Sequence, residues 1–363
     1  MSESAPVRPA RPKLSGRVLA ASLVFAAGLA GCESAAPPPA PPAPPPLAVN
    51  PPPPPVLLPR SIVELASVYE ADTQRVSAVD PAEFTNGDRV AAALKNAEGY
   101  ETEQFQKGQA AYGAIVALQD PTFVATLREF AKDPQRRSQV ANALMADPSY
   151  VATLKGADSA AGLVISVFSE TGKKMIAQGG RIQQAAYDVQ HQSWSKADVI
   201  DRPGRLALAK SLSNERQQAV EVATLRLDQN AKGASAMGLA APPVAPPYTP
   251  LVARALAVAA MAAIGEGGDE YSPQLTALLN DPTVGQCLHL AKLNLYQCLS
   301  VAKPHYEDVF CLGKHAVGDT GQCVMKGSVA GYVIPPPTAD RGPQTPPTKD
   351  AAAPKPRKKK ASS

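Results

Sequence analysis

Aromatic residues are scarce in this chain. Phe, Tyr and Trp make up 5% of its 363 residues, and Trp194 is the single tryptophan. Sheets draw on aromatic and β-branched side chains, whereas alanine, the dominant apolar residue here, favours closely packed helices. The shortage excludes a β-rich architecture and predicts an all-α protein. Catalytic signatures are missing too. There is no His-Glu-x-x-His, no Gly-x-Ser-x-Gly and no phosphate-cradling loop ending in Gly-Lys-Ser/Thr. Gly172-Lys173-Lys174 comes nearest to that loop and lacks both the hydroxyl residue and the upstream glycine. No two cysteines have the short spacing of a zinc site. His289, His305 and His315, with Glu307 and Asp308, lie near the cysteines in sequence. They read as helix-surface positions or caps rather than metal ligands, and no cofactor is expected.

What the chain has in quantity is proline, 38 residues gathered in a few tracts. It also has five cysteines placed unevenly, one at Cys32 and four between Cys287 and Cys323. The net charge of +4 comes from the two ends. Arg8, Arg11, Lys13 and Arg17 lie at one, and Lys355, Arg357, Lys358, Lys359 and Lys360 at the other, leaving a mildly acidic body between them. That distribution does not suggest a nucleic-acid-binding core.

The amino-terminal cations precede an apolar stretch from Val18 to Ala30, shorter than the roughly 20 residues that span a bilayer. The stretch ends in Leu29-Ala30-Gly31-Cys32. This pattern resembles the lipobox signal of bacterial lipoproteins over about the first 33 residues. The resemblance implies export, diacylglycerol attachment to the Cys32 thiol and cleavage before it. With no twin-arginine pair, the Sec route is the simpler one. Glu33 in place of Asp after the cysteine implies the outer membrane, facing the periplasm. The chain is therefore expected to be lipid-anchored in the cell envelope.

Composition divides the rest. Residues 1–31 are the signal, and 32–59 form a proline-rich tether whose polyproline conformation could extend on the order of 80 Å. Residues 60–238 form a helical domain, 239–250 a proline-rich linker, 251–330 a four-cysteine helical domain, and 331–363 a disordered basic tail. Within 60–238 the pairs Asp80-Pro81, Asp120-Pro121, Asp133-Pro134 and Asp147-Pro148 are helix starts. In each, a carboxylate accepts orphan N–H groups and proline has none to leave unsatisfied. Asp120 to Leu127 is nearly repeated from Asp147 to Leu154, which predicts short antiparallel helices that start alike; a degenerate helical repeat is the alternative. Gly179-Gly180 and Pro203-Gly204 are expected interruptions, and Leu206 to Leu227 reads as one or two helices.

Residues 251–264 read as a buried core helix, and a further helix runs from Pro282 to Ala302. Cys287 and Cys298 share a face of that helix about 16 Å apart, too far to pair with each other. A chain reversal at Pro304 brings Cys298 near Cys311 and Cys287 near Cys323. In geometry alone this resembles the twin-cysteine helical hairpins of the CHCH type, whose spacing it does not share. The competing pattern closes Cys311 on Cys323 through the turn at Gly318 and leaves the other two unpaired. An exported chain with four such cysteines argues for disulfides of one pattern or the other.

Function is named less clearly. The leading expectation is a non-catalytic scaffold or interaction protein, with envelope proteins or a cell-wall polymer as partners and the lipid anchor in the membrane. A binding module for a small ligand or envelope polymer is one alternative. An enzyme of unrecognised type is the other.

Overall fold

The computed structural model describes residues 56–336, and all the regular structure in them is helical. The signal at 1–31, the lipidation position Cys32, most of the tether and the tail beyond 336 lie outside the described residues. The tether's last residues belong to the body instead. Val56 and Leu58 are buried, and the Pro59 carbonyl accepts the first amides of α1 (Arg60–Ser77).

Aspartates start several of the helices, as their sequence context dictates. Asp120 opens α4 (Pro121–Ala131) by accepting from Phe123 N at 2.7 Å, and Asp133 opens α5 (Pro134–Ala146) through Gln135 N at 2.9 Å. Before them come α2 (Gly87–Glu98) and α3 (Thr102–Ala117). The near-copy at Asp147 takes another form. Its carboxylate still caps Ser149 N at 2.9 Å, but Pro148–Thr153 is a six-residue 3-10 turn. The chain then turns at Gly156, whose φ of 87° few side chains tolerate. A Cβ there would lie 2.7 Å from the Phe123 backbone nitrogen. The approach to α4 leaves no room for another helical turn, so the echo in sequence is not a repeat in structure.

From Ala157 a single helix, α6, runs to Val189. The expected interruption at Gly179-Gly180 does not occur, and the reason lies in the neighbouring chain. A Cβ on Gly179 would lie 2.6 Å from the Gly313 carbonyl oxygen and 2.8 Å from Gly318 Cα. A Cβ on Gly172 would likewise lie 3.0 Å from the Gly321 carbonyl oxygen. These glycines let two backbones touch rather than break a helix. Gly180 faces open space. Gly179→Ala is therefore expected to cost about 1–3 kcal/mol by overpacking. Gly180→Ala should stabilise by about 0.5–1 kcal/mol through helix propensity. Urea midpoints of the two variants, moving in opposite directions, check the pair. Pro203-Gly204 does not interrupt either; it lies in the first turn of α8 (Arg202–Leu212), which Asp201 caps. The short α7 (Ser193–Lys196) precedes it and α9 (Glu221–Ala231) follows.

The expected division into bodies at 60–238 and 251–330 is not how the chain packs. Helix α10 (Pro250–Ala263) is buried almost throughout and lies against α3, α6 and the turn at Pro148–Thr153. Its core is continuous with that of α1 and α3, where Tyr69, Phe105 and Phe168 meet edge-on. The linker is a strap across this body: Val244 N donates to the Asp158 carbonyl at 2.9 Å, and the chain at Pro242 crosses directly over Gly162. Proline breaks helices, but an extended segment can still lie along a helix where a glycine opens the surface.

The last helices form the expected hairpin. After α11 (Ser272–Leu278), Asp281 caps α12 (Pro282–Val301), and α13 (His305–Cys311) returns through a π-helical segment, Leu312–Asp319, into α14 (Thr320–Ser328). Cys287 bonds Cys323 and Cys298 bonds Cys311, with Cα separations of 5.5 and 5.7 Å. This is the nested pattern. Eleven residues separate the first two cysteines, close to three α-helical turns, but twelve separate the other two. An uninterrupted α-helix would rotate Cys323 about 100° away from its partner. The wider π turns absorb the extra residue and keep both cysteines on one face.

Candidate binding cleft

The connected end of the hairpin builds a cleft. Helix α12 stops at Val301, and Pro304, without an N–H, begins the return. The connection is held by the segment before α8: Val199 N donates to the Lys303 carbonyl at 2.9 Å and His305 N to the Ala197 carbonyl at 3.2 Å. The Cys298–Cys311 disulfide ties the two helices at this level, and the C-terminal part of α6 lies alongside. The resulting space is about 420 Å³. Tyr187, Val301, Tyr306, Phe310 and the disulfide line it. Tyr187 and Phe310 stand edge to face with centroids 6.4 Å apart.

Polar groups are few. Besides the two tyrosine hydroxyls the lining holds Gln190 and Glu307, and Glu307 accepts from Lys303 N at 2.8 Å. Asp308, next in sequence, turns into the protein and pairs with Arg205, which also donates to the Leu299 and Ala302 carbonyls. Burial pushes the Asp308 carboxyl above its ordinary range, and the Arg205 guanidinium opposes that shift. Arg205 thus anchors the cleft from behind. The cleft offers aromatic and aliphatic surface with one carboxylate and one amide, a set suited to binding.

A second polar cluster lies inside the body, where the end of α2 meets α12. Lys292 Nζ donates to the Glu98 carbonyl oxygen at 2.7 Å, sits 3.5 Å from the Glu98 carboxylate and lies 3.5 Å from the Tyr100 ring centroid. Ser213 donates to the same carboxylate at 3.1 Å, and Tyr100 exchanges a 2.8 Å hydrogen bond with Thr320. Both charged side chains are almost wholly buried. Burial pushes the Glu98 carboxyl up and the Lys292 ammonium down to about 8. The cluster joins four stretches of chain far apart in sequence, and its bonds tie their packing together.

The histidines do not converge. His289 is exposed on α12, His305 lies against Trp194 with centroids 6.4 Å apart, and His315 Nδ1 is 2.8 Å from Asp319. Among the described residues no three His, Cys, Asp or Glu side chains gather in a way that could hold a metal ion. The cleft and the Glu98–Lys292 pair both escaped the sequence reading. Lys292 left a trace: it lies four residues after Leu288 and three before Leu295, on the apolar stripe of α12, where a lone cation needs a partner. Nothing in the sequence points to Glu98 as that partner. No protein-family model matches the chain, and no curated protein or solved structure is significantly similar to it.

Proposed function

We propose that this chain is a lipid-anchored protein of the bacterial envelope, a non-catalytic scaffold that meets its partners through the aromatic cleft. The observation that carries the reading is the run from Arg8 to Cys32, with its cations, short apolar stretch and Leu-Ala-Gly-Cys end. Two disulfides that engage all four cysteines of the helical body support it, because such bonds persist in oxidising compartments outside the cytosol. Among the described residues no helix is long and apolar enough to cross a membrane. Glu33 directs the protein to the outer membrane, and the proline tract holds the body away from it. The cleft's size favours a second reading, a receptor for a small ligand, since about 420 Å³ lies within the range of ligand pockets.

Cys32→Ser is expected to leave an uncleaved, unlipidated precursor that no longer fractionates with membranes. Normal processing and membrane recovery of that variant would end the lipoprotein reading. Crosslinking in cells followed by pull-down of the intact lipoprotein should recover an envelope protein or polymer. A cleft that bound a metabolite, with no such partner recovered, would favour the receptor.

A further inference from the structure

We propose that the cleft is occupied by the chain's own carboxy-terminal segment Arg341-Gly-Pro-Gln-Thr-Pro-Pro-Thr-Lys349, which a partner must displace; the inference rests on the reading of the cleft as the contact surface. Aromatic-lined grooves are the surfaces that take polyproline segments, whose fixed φ leaves little entropy to lose on binding. Tyr187, Tyr306 and Phe310 supply such a surface. Pro343, Pro346 and Pro347 supply the ligand.

Charge selects this segment over the other proline tract. Glu307 has no cationic side chain paired with it among the described residues, and it is the one charged side chain lining the cleft. Arg341 and Lys349, the charged residues within the segment, would complement it, with Asp340 and Asp350 lying just outside. Between Glu33 and Arg60 the amino-terminal tract contains no charged residue at all.

Reach is sufficient. The chain leaves α14 at Ser328, five residues beyond Cys323, and the Tyr332 hydroxyl then donates to Gln322, the neighbour of Cys323 in sequence. The cleft lies at the other disulfide, three turns of α12 away, about 16 Å. The described residues end at Pro336, and the seven residues from there to Pro343 extend about 22 Å at 3.1 Å each.

The test is fluorescence anisotropy with a labelled peptide of residues 341–349, added to the full mature chain and to a full chain carrying Arg341→Glu, Pro343→Ala and Pro346→Ala. The altered chain, its cleft vacated, should bind the peptide at least tenfold more tightly than the unaltered one, whose own tail competes at millimolar effective concentration. Adding Glu307→Arg should weaken that binding severalfold, and a peptide carrying Arg341→Glu should restore it. This charge swap tests the contact even where Phe310→Ala fails to fold. Equal binding to both chains, indifference to Glu307→Arg, or equal binding of a peptide of residues 37–46 would overturn the proposal. Such a failure leaves the scaffold reading intact, because that reading is judged by partners recovered in cells. Loss of those partners would in turn leave peptide binding unaffected.

Discussion

Lys292→Met is expected to destabilise the protein by about 3–5 kcal/mol, the usual cost of removing one member of a buried ion pair. Without the ammonium, Glu98 must either hold a charge in the core or take up a proton, and its backbone carbonyl loses the 2.7 Å donor. The double variant Lys292→Met, Glu98→Leu should recover most of that loss. Two desolvated charges are replaced by apolar volume, and Ser213 keeps its 2.8 Å bond to the Ala209 carbonyl. Urea unfolding of the wild type, both single variants and the double variant measures the coupling directly. Strictly additive losses would mean that the two side chains do not depend on one another.

The same pair has a pH signature. Lys292 titrates near 8 when folded and near 10.5 when unfolded, because burial disfavours its charged form. Between those values the unfolded chain holds a proton that the folded chain has released. Stability from this group therefore rises with pH through the window. Glu98 works in the opposite sense: burial raises its folded value, so its contribution falls as pH climbs from the ordinary carboxylate range toward that value. The stability difference between wild type and Lys292→Met should consequently grow from pH 8 to pH 10.

The second large effect concerns the disulfides. Replacing Cys287 and Cys323 by Ala should cost about 4 kcal/mol, and replacing Cys298 and Cys311 about 3 kcal/mol, by the entropy of the loops they close. The order follows from sequence separations of 36 and 13 residues. Thermal unfolding of the two double variants tests it. The inner pair should show the smaller loss of stability but the larger loss of peptide binding, because it lines the cleft. If the outer pair instead abolished binding while the inner pair did not, the cleft would not be the binding surface.

Much of this fold was legible residue by residue. The Asp-Pro pairs at 120, 133 and 281 each start a helix because capping is local chemistry, complete within four residues. The cysteine pairing was legible because helical geometry converts spacing into distance, and the spacing forbade Cys287–Cys298. The misreadings share a cause. Gly179-Gly180 looked like a break and proved to be a point of backbone contact, a difference decided by Gly313 and Gly318 more than 130 residues away. The tract at 239–250 looked like a boundary because proline ends helices, but whether the following helix leaves or rejoins the same core is set by which apolar face remains uncovered. The cleft was invisible for a similar reason: Tyr187 and Phe310 meet only after α6 and the hairpin are aligned.

The sequence by itself determined helical class, the starts of several helices, the disulfide pattern within two alternatives and the grounds for reading Cys32 as an anchor. Each depends on groups within a few turns of one another, where backbone geometry alone fixes what can meet. Only the tertiary structure decided that residues 56–336 share one core, that a twelve-residue cysteine interval is reconciled with an eleven-residue one by a π turn, and that Lys292 finds Glu98. Those outcomes depend on close approach between distant segments, and a linear pattern of apolar and polar residues does not record which faces will be pressed together.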